Sequence, residues 1–213
     1  MIQPLVKLRF VERYCRPSDG WSVFVDIDAS EEGRTGSARQ TSEAKARHAQ
    51  VLAEAPRFVR ELAHLGVFVG DRTRKWSAHF GKALPVPKGD RDIIAVHRAI
   101  RLLWIAEVEG ESGGQPEVKI YKALGQLVCA VTESQLPGFQ TFFSLVVWGE
   151  RACAHLARAA AVASLGISAL AVGETYADDH WLFGRPSYLD SNARPDAGTP
   201  PNNALEPSAP MRS

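Results

Sequence analysis

Cysteine is scarce in this 213-residue sequence: Cys15, Cys129 and Cys153 are the whole complement, and no two form a C-x-x-C pair. Three scattered thiols exclude a disulfide framework, and the missing pair argues against a structural zinc knuckle. No run approaches the ~20 consecutive apolar residues of a membrane span, so no membrane partner is expected. The opening Met1-Ile2-Gln3-Pro4 lacks the basic-then-apolar layout of a secretory signal, and a cytoplasmic setting is the expectation. The six histidines show no ligand spacing. Neither sign of charge dominates, since 25 Lys and Arg oppose 24 Asp and Glu for a net charge of +1. Taken whole, that balance carries no polyanion-binding signature. Apolar residues are plentiful at 45%, enough for a buried core, which excludes wholesale disorder.

The chain divides into three parts by composition. Residues 1–41 read as an N-terminal β-hairpin extension and loop: Leu5–Arg13 and Trp21–Asp28 as strands about a Pro17-Ser18-Asp19-Gly20 turn, then a polar loop over 31–41. Residues 42–183 carry the fold. Residues 184–213 hold six prolines among Asn, Ser, Ala and Asp and read as a flexible tail. The end of that tail, Asn202 to Pro210, resembles the C-termini of proteins encoded by integron gene cassettes, which implies a mobile bacterial gene.

Within the core, a helix is predicted from Ser42 to about Leu65, with Leu52, Ala55, Val59 and Leu62 on its inner face. Pro56 should kink or break it, and Gly66 should end it. Asp92–Val96, Leu102–Glu109, Phe142–Trp148 and Ile167–Val172 read as strands. Helices over Pro116–Thr132 and Arg151–Leu165 fall between the later ones. Strands alternating with helices predict an α/β sandwich about a mixed sheet.

The strand Leu102–Glu109 is apolar on both faces until its end, where Glu107 and Glu109 share one side. A turn centred between Ala99 and Ile100 pairs residues whose numbers sum to 199, which sets Asp92 opposite Glu107. Carboxylates brought together this way repel, and a hard divalent cation is one way to offset them. Neighbouring arginines such as Arg91 or Arg101 are another. On the next helix, Lys119, Lys122 and Gln126 form a stripe with Gln115, opposite an apolar stripe of Ile120, Leu124, Leu127, Val128 and Val131. Cys129 and Cys153 are expected to pack in the core.

Charge is unevenly spread. Between Pro56 and Arg101 ten basic residues face four acidic ones, a local +6 set against −5 over the rest. Arg72, Arg74, Lys75, Lys88 and Arg91, with Gln126, are therefore the candidate nucleic-acid contacts.

The runs Gly89 to Ala95, Ile105 to Glu109 and Lys119 to Leu127 together resemble the PD-(D/E)XK nuclease superfamily. The resemblance spans about residues 42–172. It implies a restriction-endonuclease-like α/β/α sandwich that hydrolyses phosphodiester bonds in DNA, with Mg²⁺ or Mn²⁺ held by Asp92 and Glu107. Glu109, Lys119 and Lys122 would complete the catalytic set. The sequence departs from the family pattern at Glu109, where Lys is usual, and no Pro directly precedes Asp92. DNA is thus the expected partner, and a homodimer is an assembly to consider. Two other readings stand beside this one. A catalytically inactive nuclease-like scaffold would bind nucleic acid or a protein. A phosphatase would use the D-x-D of Asp26 and Asp28 with Glu174, Asp178 and Asp179.

Overall fold

The computed structural model describes residues 1–27, 42–70, 75–81, 91–110, 116–134 and 136–191. The expected 31–41 loop, Asp28, Arg72, Arg74, Lys88, Gln115 and residues 192–213 lie outside them.

Gln3–Tyr14 is a helix, α1, not a strand. Pro4 sits in its first turn, where a missing N–H costs nothing. Val6, Phe10 and Tyr14 follow at four-residue steps and, with Val11, form one buried stripe. The same segment also alternates in polarity, and alternation is the signal a strand reading takes hold of. After a 3₁₀ turn at Pro17–Asp19, strand β1 (Ser22–Asp26) enters the sheet between β2 and β3, so residues 1–27 are part of the core and form no hairpin extension.

Helix α2 (Ser42–His64) continues through Pro56 without a break. Ala55 and Leu62 are buried as expected and Phe58 joins them, while Val59 is half-buried and Leu52 is 49% exposed. Gly66 ends the connection in the left-handed region at φ +85°, as its position suggested. Then come β2 (Phe68–Gly70), the short α3 (Trp76–Phe80), β3 (Ile93–His97), β4 (Leu102–Glu109), α4 (Pro116–Glu133), β5 (Gln140–Val147) and α5 (Glu150–Ala157). A 3₁₀ segment, Ala160–Leu165, replaces the second half of the expected long helix. β6 (Ile167–Ala171), β7 (His180–Phe183) and α6 (Tyr188–Ser191) complete the order.

The seven strands form one mixed sheet in the order β2-β1-β3-β4-β5-β6-β7. β2 lies parallel to β1, β3 runs antiparallel to its neighbours β1 and β4 on either side, β4, β5 and β6 run parallel, and β7 returns antiparallel. The α/β class with a mixed sheet is therefore present. Side chains alternate along β4 between two cores. Trp104, Ala106 and Val108 join the cluster containing α1 and α2 residues, and Leu103 and Ile105 join the one containing α4 and α5 residues. The segment assigned to a tail begins inside the fold, because Tyr188 of α6 packs 5.6 Å from the Trp104 ring. No helix among the described residues is long and apolar enough to cross a membrane.

The register of β3 on β4 is the one that the sequence arithmetic gives: Ile93 pairs with Ala106 and His97 with Leu102. No Asn-Gly sets this turn. Arg101 does so by adopting φ +54°, the one positive-φ residue other than glycine among those described.

Candidate functional site

At one end of the sheet, β1 finishes at Asp26, β3 starts just after Asp92, and β4 delivers Glu107 and Glu109. The Asp26 N–H donates to the Asp92 carbonyl at 2.9 Å, which extends the β1–β3 pairing by one step. By strand alternation Asp26, Asp92 and Glu107 form a row across three neighbouring strands, on the side that α4 covers. Asp26 was legible only as half of a D-x-D pair, because nothing in the sequence reveals that β1 lies beside β3.

Asp92 is held from two sides. The Lys7 ammonium of α1 lies 2.7 Å from its Oδ1, and the Val108 N–H, beyond the reach of β3, donates to its Oδ2 at 2.8 Å. Lys7 also donates to the Asp26 carbonyl at 2.7 Å. Glu107 hydrogen-bonds to Asp92 and accepts from Arg91 Nη1 at 3.3 Å. Burial, reinforced by the Asp92 charge, pushes the Glu107 carboxyl up to about 9 against the pull of Arg91 and Lys7. Glu107 therefore keeps its proton at neutral pH. Glu109 is pushed up to about 7, chiefly by burial, while Lys119, 3.8 Å away, draws it down.

The described fold buries four charged residues, main chain and side chain together: Lys7, Asp26, Arg91 and Glu107. Lys7, Arg91 and Glu107 meet here through their side chains, and Asp26 through its main chain. Burying charge costs several kcal/mol per ion before pairing offsets it, so this sheet end carries a concentrated cost. Perturbed ionisable groups cluster at functional sites, and structural ion-pair networks perturb them too.

Lys119 and Lys122 are exposed on α4, with Lys119 alone paired to the acidic cluster, and Gln126 is half-buried. Arg91 is buried against Glu107, so its guanidinium faces the fold interior and not a phosphate backbone. Lys75 precedes α3. Arg98 and Arg101 sit at the β3–β4 turn, at the opposite end of these strands from Asp92, so the +6 segment is not one surface. Val128 and Cys129 are exposed, contrary to expectation, because Ala123 and Ala130 take the inward positions of α4. Glu174 and Asp179 are engaged by Arg9 and Arg13 of α1, and Asp178 by Thr175. They do not join Asp26, which removes the second acidic motif of the phosphatase reading.

Among the described residues no group of three or more His, Cys, Asp and Glu is arranged to hold a metal ion. A pair of carboxylates nevertheless suits Mg²⁺, which keeps most of its waters and needs only one or two protein oxygens. The Asp92–Glu107 pair offers hard oxygen donors.

The raised Glu109 and Glu107 values make stability depend on pH. A carboxyl whose folded value exceeds its unfolded one stabilises the fold below the unfolded value and loses that contribution as pH rises through the folded one. The melting temperature in metal-free buffer is expected to fall from about pH 5 towards about pH 9. Glu109→Gln, which cannot ionise, should flatten the part of the fall around about pH 7. A melting temperature that rises through this window would contradict the burial of both groups.

No family model, no curated protein and no solved structure matches this chain.

Proposed function

We propose that this chain is a nuclease-like protein that hydrolyses phosphodiester bonds in DNA, with Mg²⁺ or Mn²⁺ held at Asp92 and Glu107. The observation that carries the reading is the meeting of Asp92 and Glu107 across adjacent strand ends, where Asp92 accepts from the Val108 N–H and the buried Lys7 and Arg91 also converge. The element order from β3 onward, two antiparallel strands, a helix, a parallel strand, a helix and a further strand, agrees with the order that the nuclease resemblance implies.

Bound there, a divalent cation would lower the pKa of a coordinated water and offset charge developing on the phosphate. The protein's own groups would do the rest. Glu107 has to release its proton to act as a ligand, so cation binding is coupled to proton release and tightens with rising pH. Glu109, titrating close to neutrality beside the pair, is suited to accept a proton from the attacking water. Lys119, on the open side of Glu109, is placed to orient that carboxylate and meet phosphate oxygens.

Purified protein is expected to nick plasmid or single-stranded DNA only with Mg²⁺ or Mn²⁺. Glu107→Ala should reduce the rate by about 100-fold or more, the size of effect for a group acting on the transition state. A second reading is favoured by one feature: Lys7, Arg91 and Lys119 already pair the three acids internally. That would suit a scaffold that binds nucleic acid without cutting it. Salt-sensitive DNA binding with no cleavage under either metal would decide for the scaffold.

A further inference from the structure

We propose that α4 carries the interface of a homodimer, in which two copies of this chain pair antiparallel along its exposed face and cross at Gly125. Ile120, Ala123, Leu124, Leu127 and Ala130 turn inward and fill the core, which accounts for one stripe of the helix. A second apolar stripe faces out, with Val118 57% exposed, Tyr121 49% and Val128 39%. The other large apolar side chains exposed among the described residues, Leu52, Ile100, Leu165 and Tyr176, stand singly at separate places in the fold. Single exposures are ordinary on a protein surface, whereas a contiguous stripe marks a contact surface. At roughly 100° per residue, Val118, Tyr121, Gly125, Val128 and Thr132 fall within an arc of about 80°. Gly125 is at the middle of this stripe. Glycine in a helix interior is less favourable than alanine, and here a Cβ would meet no atom within 4 Å, so nothing inside the fold calls for it. A bare backbone at that point lets a second helix approach closely.

The occupant is a second copy because the face complements itself. A two-fold axis at Gly125 sets residues equally far before and after it opposite each other. Tyr121 then lies over Cys129 of the partner subunit, a large side chain on a small one, and Val118 lies against Thr132 of the partner subunit, which has the same shape. Tyr121 is already braced, since its ring meets that of His155 of α5 edge-on at 6.4 Å, and aromatic anchors dominate interface energetics. Charge agrees with the antiparallel sense. Lys119 and Lys122 flank the stripe in its N-terminal half, and Glu133 lies on the same flank in its C-terminal half, all three exposed. Head-to-tail pairing brings the lysines of each copy beside the partner subunit's Glu133 and sets each positive helix N-terminus against a negative C-terminus. A parallel pair would set like charges together. The 18 residues of α4 extend about 27 Å, so the seam buries less than the roughly 800 Å² per partner of a standard interface, and association is reversible.

The dimer does not depend on the hydrolase reading, and its test uses the 213-residue chain without metal or DNA. Sedimentation equilibrium of the wild type is expected to give twice the chain mass, falling towards the single mass on dilution. Gly125→Lys sets two ammonium groups against each other at the two-fold axis and should hold the protein at the single mass. Its fold should be kept, because the new side chain meets open space and lysine favours the helix more than glycine does. A wild type that stays at the single mass up to its solubility limit overturns the inference, and so does a Gly125→Lys variant that remains dimeric. Disulfide formation checks the register and decides alone if Gly125→Lys fails to fold. Under mild oxidation, Tyr121→Cys should link two copies through native Cys129 at least about tenfold faster than Ile100→Cys, an equally exposed control at the β3–β4 turn. Positions 121 and 129 lie about 12 Å apart along one helix, beyond disulfide reach, so the link has to form between copies. Equal rates for the two variants overturn the inference.

Discussion

Trp104→Ala is expected to lower the melting temperature by roughly 10 °C or more, from a loss of about 3–5 kcal/mol for emptying a large aromatic site. Trp104 is fully buried at the middle of β4, and its ring is the meeting point of elements far apart in sequence. Phe10 of α1 packs edge-on at 5.0 Å, Tyr188 of α6 at 5.6 Å, and Phe142 of β5 and Trp181 of β7 at 6.2 and 6.4 Å. Its indole N–H donates to Ser144 Oγ at 2.8 Å, and Ser144 in turn shares a 2.6 Å hydrogen bond with Ser168. Truncation opens a cavity and removes a donor from this buried hydroxyl chain. Trp104→Phe keeps most of the ring and loses the donor, so about 1–2 kcal/mol is expected. Urea melts of the two variants separate the terms. Equal losses would mean that the hydrogen bond dominates and the aromatic packing contributes little.

Asp179→Ala is expected to cost about 3–5 kcal/mol, the range for breaking a buried ion pair and leaving one partner uncompensated. The Asp179 side chain is 3% exposed and accepts from Arg13 at 2.5 Å, from the Tyr14 hydroxyl at 2.9 Å and from the Gly173 N–H at 2.7 Å. Burial and the neighbouring Asp179 charge raise the Tyr14 hydroxyl far above its ordinary value, so it stays a donor at any working pH. The cluster clamps the C-terminal turn of α1 to the loop after β6. The adjacent pair of Arg9 and Glu174 is a control, because Glu174 is 68% exposed and Glu174→Ala should cost under about 1 kcal/mol. If the two alanine variants melt alike, the enclosed clamp carries no special weight in docking α1.

Parts of the candidate site were legible because they depend on short-range rules. The 199 register follows from counting along one hairpin, and it holds although Arg101, not a glycine, makes the tight turn. Glu107 and Glu109 were identifiable because two carboxylates end an otherwise apolar strand. On sequence grounds Arg91 fits both a neutralising neighbour of the acids and a phosphate contact, and burial leaves it the first role. Lys7 and Asp26 were not legible as site residues. Each lies at least 65 positions from Asp92, in a segment whose alternation imitates a hairpin, and only the placement of α1 and β1 brings them together. The inner faces of α2 and α4 were legible in part: Ala55, Leu62, Ile120, Leu124 and Leu127 are buried as their spacing predicts, whereas Leu52 and Val128 are apolar yet exposed, and Phe58, Ala123 and Ala130 are buried instead. Hydrophobicity ranks Ala123 and Ala130 below their neighbours, whereas close helix–sheet packing prefers them.

The charge that appeared absent at the outset is the clearest case. By itself the sequence determined that Lys and Arg nearly cancel Asp and Glu, that the basic excess is local, and that three acids fall near one strand end. Local periodicity and covalent spacing carry that much. Only the tertiary structure decided which charges cancel which. It buried Arg91 and Lys7 against the acids and left Arg98 and Arg101 at the other end of the strands. Pairing of charges is set by the order of strands in the sheet, and that order is fixed by long-range packing which no local stretch of sequence encodes.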